Sequence, residues 1–373
     1  MARKLRVGVI FGGRSGEHEV SLMSAASVLR AIDREKYEIV PIGVSRTGQW
    51  LIGGDPLQAL SRGTLDELQP AALLPDPGRP VLIPFSGSGG VPSVPSSPLQ
   101  TLDVIFPLLH GPYGEDGTLQ GLLELANIPY VGCGVAASAV GMDKALMKAI
   151  LREAGLTVLD YLVVLRREVE QDPDAVRRRV ESGFGYPCFV KPANLGSSVG
   201  VVKVHAAHEL EPALRTAAQY DRKLLIEDAA EGCREIECSV LGNDDPIASV
   251  PGEVIPSREF YDYEAKYLDT GSQLIIPAPL SPQAAERVRS DAVRAFKAID
   301  GAGMARVDFF VDRKTEAIYV NEVNTIPGFT PISMYPKLWE ATGISYSELI
   351  DRLIQLALER HRDKERSRTQ REA

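Results

Sequence analysis

Residues 305 to 328 read ARVDFFVDRKTEAIYVNEVNTIPG, two apolar, β-branched and aromatic runs around the polar tip DRKTE. This pattern predicts a β-hairpin. Arg306 and Asp308 fall on the first strand, Glu322 and Asn324 on the second, and each pair shares a strand face because its numbers differ by two. With the turn centred near Thr315, Asp308 stands opposite Glu322 and Arg306 opposite Asn324. Opposed side chains in such a pair lie roughly 5 Å apart at Cβ. Two carboxylates and an amide oxygen in that space repel unless a cation joins them. Oxygen ligands suit a hard ion such as Mg²⁺, and a neighbouring arginine suits a phosphate. The hairpin therefore outlines a Mg-nucleotide site; a solvated face with cross-strand charge pairs is the plain alternative.

Other segments supply what a nucleotide site needs. In PCFVKPANLGSSVGV a strand delivers Lys191, and a loop with Gly196, Ser197, Ser198 and Gly200 returns to a second strand. Free N–H groups beside a lysine form a phosphate cradle, and no GxxxxGK[ST] loop is present. Downstream, Glu227 ends an apolar strand, and Glu235 and Glu237 alternate on the next. Glu227 and Glu235 are read as contacts to an adenine amino group or ribose hydroxyls, Glu237 as a solvated edge acid. REFYDYEAKYLDTGSQ, residues 258 to 273, has the composition of an active-site lid, with Lys266 for a phosphate and Tyr267 for substrate or a partner loop. GGRSGEHEVSLMS follows the first strand, a usual ligand position in a parallel sheet. There Ser21 is expected to cap a helix, and Glu17, His18 and Glu19 to face a charged small molecule, an acid suiting an ammonium group. HGPYGEDGT at 110 to 118 should converge on the same crevice, with His110 open to three roles: catalytic base, contact to a substrate carboxylate, or structural support.

Length, charge and punctuation bound the rest. At 373 residues the chain is too long for one ordinary core and suggests two or three domains. A net charge of −9 argues against nucleic acid as a main partner. No apolar run approaches the roughly 20 residues of a membrane span. MARKLRVGVIFGG reads as a first strand and turn rather than a signal peptide. Cys133, Cys188, Cys233 and Cys238 form no CxxC pair and read as reduced thiols of a cytoplasmic protein. LRVGVIF, a helix and YEIVPIGVS give a β-α-β opening. Residues 70 to 98, rich in Pro, Gly and Ser, are expected to be a surface insertion with VLIPF as a short strand. A helix from Asp143 should end at Ala154-Gly155, and the charged segment after Leu358 is expected to fray into disorder.

Taken together, the motifs GGRSGEHEVS, HGPYGEDGT, GMDK, VKPANLGSSVGV, FYDYEAKY, ARVDFF and NEVNTIPGFTPISMYP, in this order from Lys4 to about Glu359, closely resemble those of D-alanine–D-alanine ligases of the ATP-grasp superfamily. The resemblance implies a mixed α/β and α+β fold: an N-terminal parallel α/β substrate domain (1–133), a central ATP-grasp subdomain (134–228) and a C-terminal catalytic subdomain (229–360), the last two clamping the nucleotide, then a disordered tail (361–373). It implies ATP contacts from Lys144, Lys191, Ser197, Ser198, Ala229, Ala230 and Lys266, with Glu227 on adenine and Glu235 on ribose. Asp308, Glu322 and Asn324 would hold two Mg²⁺ ions, Glu322 bridging, with Mn²⁺ able to substitute and a K⁺ requirement left open. Glu17 would take the ammonium of the first D-alanine, with His110 near the same substrate. Ser333 would take the carboxylate of the second, next to Met334 in an apolar slot. Arg306 and backbone N–H near Gly328 would stabilise the acyl centre, and Glu17, Ser197 and Tyr267 would form a triad that closes the lid. The implied partners are D-alanine, ATP and a second copy in a homodimer, with neither nucleic acid nor membrane. D-lactate or D-serine as second substrate, and an ATP-binding protein without turnover, are the alternatives; a tyrosine at 267, where depsipeptide ligases carry a His-containing lid, favours the dipeptide.

Overall fold

The structure is a computed structural model and describes residues 3–77, 81–85, 100–256 and 273–368. Three sheets organise these residues. In the first, the apolar strand Leu5–Gly12 lies between Tyr37–Val44 and Val104–Pro107, parallel to both. Helix His18–Ala31 packs its buried Leu22, Ala25 and Val28 against that layer. Here the segment expected to be a surface insertion departs from its reading. VLIP does form a strand, Val81–Pro84, but it pairs with Gln69–Leu73 and Gln100–Thr101 and extends the main sheet. Buried Ala71, Leu73 and Leu82 explain the difference, since they belong to the core of this sheet. The rest of that segment, 78–80 and 86–98, lies outside the described residues.

The second sheet has four strands, in the order Val202–Val204, Cys188–Pro192, Lys223–Asp228, Tyr161–Leu165, all neighbours antiparallel. The third is antiparallel around Cys233–Gly242, with Gly303–Asp312 and Ile318–Asn324 on one side and Gly252–Ile255 and Gln273–Ile275 on the other. Helix Pro282–Ala298 covers it, burying Val288, Ala292 and Phe296. Helix Lys144–Glu153 starts at Asp143, whose carboxylate accepts from Ala145 and Leu146 N–H, and ends before the left-handed Gly155 at φ +72°.

The last helix, Tyr346–Glu365, corrects another expectation. It does not fray after Leu358 and runs through residue 361, where disorder was expected. The Arg360 guanidinium lies over the Tyr130 ring and donates to the Tyr130 and Gly132 carbonyls, and Lys364 pairs with Glu124. Charge along the sequence signalled solvent, whereas these side chains have partners in the first sheet's connections. The same helix shares one core with the first and third sheets. Phe329 meets Phe106 edge-on at 5.8 Å and Tyr346 at 6.2 Å, which fixes the loop after the hairpin against the first sheet.

Candidate active site

The hairpin pairs Asp308 with Glu322 and Arg306 with Asn324, as the spacing predicts. Beyond them the register shifts: Phe309 pairs with Val320, so Asn321 is the extra residue of a bulge. The bulge lets Val320 enter the core while Glu322 and Asn324 keep facing the site. Arg306 grips Asp308 with two parallel bonds, Nε to Oδ1 and Nη2 to Oδ2, both 2.7 Å. Its Nε also lies 3.0 Å from Glu237 Oε2. Burial works against the guanidinium's charge, but Asp308 and Glu237 outweigh it and hold its pKa above the ordinary value. Glu237 was expected to be a solvated edge acid. It is 6% exposed and belongs to the site, because strand Cys233–Gly242 pairs with Gly303–Asp312 and sets Glu237 directly beside Asp308.

The loop after the first strand reaches the same place from the other side. Glu17 is the residue before helix His18–Ala31, and Ser197 donates a hydrogen bond to its Oε1. Gly111, at φ +75°, makes room: a Cβ there would stand 2.5 Å from Glu17 Oε2. Glu17 therefore sits where expected, but its neighbours do not. His18 turns inward, its Nδ1–H donating to the Gly13 carbonyl at 2.8 Å, and Glu19 turns outward to Arg46. Ser21 is no cap either. It lies a turn inside the helix, accepting from Gly12 N–H and donating to the Leu108 carbonyl, so it joins two strand ends. Glu115, which the sequence reading passed over, lines the cavity beside Glu17 and accepts from Gly111 N–H at 2.5 Å. Burial first, then Glu17, raise its carboxyl well above the ordinary range.

His110 lies behind the cavity and not in its lining. Its Nδ1–H donates to the Ile326 carbonyl at 3.1 Å, and its Nε2 accepts from Ser24, 3.1 Å away. Ser24 Oγ in turn accepts from Phe329 N–H at 3.1 Å. With both nitrogens engaged and 4% exposure, His110 pins the loop carrying Gly328, the structural support among its three open roles. Burial, with some help from Arg306, pushes its pKa down to about 4, so the ring is neutral.

Two adjoining cavities meet at Lys144, Gly196, Ser197, Glu237 and Glu322. The larger, about 420 Å³, is lined by Lys191, Ser198, Glu227, Ala229, Ala230, Glu235 and Asp308, which is most of the expected nucleotide set. Ser197 and Ser198 hold φ of 51° and 57° and Ala230 51°, backbone strain of the kind that gathers at ligand sites. Lys144 donates to the Leu195 carbonyl at 2.8 Å and lies 3.6 Å from Glu322 Oε2. Glu227 is buried between Lys191 and Lys148; burial opposes its charge, yet the two lysines hold its pKa below the ordinary carboxylate value. Lys148, too, went unread, though it lies one helical turn beyond Lys144.

The smaller cavity, about 90 Å³, is lined by Glu17, Glu115, Arg306, Asn324, Gly328, Ser333 and Met334. Ser333 Oγ accepts from Thr330 N–H at 3.0 Å and approaches Gly328 so closely that a Cβ there would lie 2.7 Å from it. Among the described residues no three His, Cys, Asp or Glu side chains form a metal cage. Asp308, Glu322 and the amide of Asn324 nonetheless make an oxygen-only set that fits a hard divalent ion, with Arg306 and Lys144 offsetting its charge here. Lys266 and Tyr267 lie outside the described residues.

Known proteins resemble this chain in sequence and in fold. The profiles of the D-ala D-ala ligase N-terminus and the D-ala D-ala ligase C-terminus match residues 6–133 and 150–355. A D-alanine–D-alanine ligase from Heliobacterium modesticaldum is 52% identical over 368 residues, spanning 99% of this chain and 98% of its own length. Among solved structures, the D-alanine-D-alanine ligase from Coxiella burnetii is similar at a TM-score of 0.84 and 37% identity, covering 98% of this chain and 97% of that one. The VanG D-Ala:D-Ser ligase from Enterococcus faecalis is similar at 0.83 and 35%, covering 95% and 100%.

Proposed function

The chain belongs to the D-alanine–D-alanine ligase family, and from that premise we propose how its residues join two D-alanines with ATP as the driving substrate. The observation that carries the reading is the junction of the two cavities. A pocket of nucleotide size opens onto a smaller polar one lined by Glu17, Arg306 and Ser333, and Lys144, Ser197 and Glu322 stand at the boundary. Phosphate groups and a carboxylate meet there.

In the larger cavity Glu227 accepts from the adenine amino group and Glu235 from the ribose hydroxyls, while Ala229 and Ala230 present backbone groups to the base. Lys144, Lys191, Ser197 and Ser198 take the phosphates, and Lys266 closes over them from the lid. In the smaller cavity Glu17 holds the ammonium of the first D-alanine and Ser333 the carboxylate of the second, beside Met334. The first carboxylate attacks the γ-phosphorus of ATP, ADP leaves, and an acyl phosphate forms. The amine of the second D-alanine, having lost a proton, attacks the acyl carbon and phosphate leaves. Arg306 and N–H at Gly328 stabilise the oxyanion of that step. To Tyr267 we assign the lid's task of shutting out water that would hydrolyse the acyl phosphate. Asp308, Glu322 and Asn324 hold divalent metal, two Mg²⁺ ions on this reading, with Mn²⁺ able to substitute. The ions supply neutralising charge where the anions meet.

The product is a peptidoglycan precursor, and a homodimer in the cytoplasm is the setting we assign to an ATP-consuming ligase. No helix among the described residues is long and apolar enough to cross a membrane. D-Alanine labelled with ¹⁸O in its carboxylate tests the chemistry. Transfer of one label to the released phosphate is expected, and unlabelled phosphate would exclude the acyl phosphate.

A further inference from the structure

Glu227 has more positive charge around it than one carboxylate requires. It is 1% exposed, and both Lys191 and Lys148 pair with it. The two lysines differ in setting. Lys191 has a side chain 13% exposed at the wall of the larger cavity, whereas Lys148 is completely buried beneath the carboxylate. Lys148 follows Lys144 by one turn on helix Lys144–Glu153, so a single rigid element places one lysine by Glu322 and the other under Glu227. Lysines are almost never fully buried unless paired, and the reaction as described gives Lys148 no task.

On the reading that the larger cavity takes ATP, we propose that Lys148 is a positioning residue of the nucleotide site. It compensates Glu227 from below, so that Lys191 is free to leave the carboxylate for a phosphate while Glu227 stays an anionic acceptor for the amino group of the base. Without Lys148, Lys191 is the remaining lysine paired with a buried carboxylate and has to choose between Glu227 and the phosphates. The two lysines hold Glu227 in its charged form against burial, which agrees with this division of labour.

Calorimetric titration of the full chain with ATP and with inorganic tripolyphosphate, both with Mg²⁺, tests the proposal in K148M, E227Q and K148M/E227Q. Failure of the unaltered protein to bind ATP would remove the functional reading instead. In K148M, tripolyphosphate binding is expected to weaken about tenfold or more, since a buried charge holds its last partner strongly. In the double variant the carboxylate is gone, so tripolyphosphate binding recovers. ATP does not recover fully, because a neutral amide oxygen has replaced the anionic acceptor for the base. A merely structural lysine gives no such selective rescue. Should K148M fail to fold, K148Q decides, since it keeps a polar group under the carboxylate but removes the charge, and tripolyphosphate binding weakens in it as well. E227Q alone leaves tripolyphosphate binding at least as tight as in the unaltered protein. Unchanged tripolyphosphate affinity in K148M or K148Q overturns the proposal.

Discussion

His110 shows how far a single side chain's surroundings decide its role. Buried and bonded through both nitrogens, it stays neutral until its pKa near 4, whereas in the unfolded chain it takes up a proton near 6.5. A group whose folded pKa is depressed adds stability above its unfolded value and loses it as pH falls through the folded value. The protein should therefore lose about 3 kcal/mol through this residue between pH 6.5 and 4. Urea unfolding at several pH values checks this. H110Q, which keeps a donor and an acceptor, should flatten that part of the acid slope, and an unchanged slope would show that the ring titrates freely. At this scale the sequence was partly legible. Glu17, Ser197 and Arg306 could be picked out because charge or glycine-rich context marks them. Glu237 was misread as solvated, since alternation says that a side chain shares a face with its neighbours, not whether another strand covers that face, and Glu115 lies in a polar loop where no period applies.

Among the elements, the hairpin carries the chemistry. Its two carboxylates were readable from the period of two, together with the polar tip. The bulge at Asn321 went unread, although buried Val320 and Val323 stand three apart where a regular strand keeps an even spacing. Its effect is to let an even-numbered Val320 face the core and an even-numbered Glu322 face the site. If the pair of opposed acids holds divalent metal, E322Q should raise the Mg²⁺ needed for half-maximal ADP release by about tenfold or more and lower kcat, with little change in thermal stability. A Mg²⁺ dependence identical to that of the unaltered protein would move the metal elsewhere. The side chain of Glu322 is 27% exposed, so the substitution leaves no deeply buried charge behind.

At the scale of the molecule, the first and third sheets are joined by a last helix whose end, after Leu358, the sequence presented as a fraying tail. Its charges found partners in Tyr130, Gly132 and Glu124, contacts about 230 residues away that no local pattern reveals. Truncation after Leu358 should cost about 1.5–3 kcal/mol in chemical unfolding, from the loss of charged hydrogen bonds to two carbonyls. An unchanged midpoint would return the segment to the status of a solvated tail. The order of strands and helices was legible because apolar runs and turns punctuate it, whereas the convergence of Glu17, Ser197 and Arg306 depends on contacts between sheets. That convergence is the arrangement we propose for joining two small amino acids. Mass analysis of products formed from ATP, Mg²⁺ and an equal mixture of D-alanine, D-serine and D-lactate near neutral pH tests it most directly. D-alanyl-D-alanine should dominate, with ADP and phosphate released alongside. A dominant ester or D-alanyl-D-serine product, or no product with D-alanine alone, would contradict it.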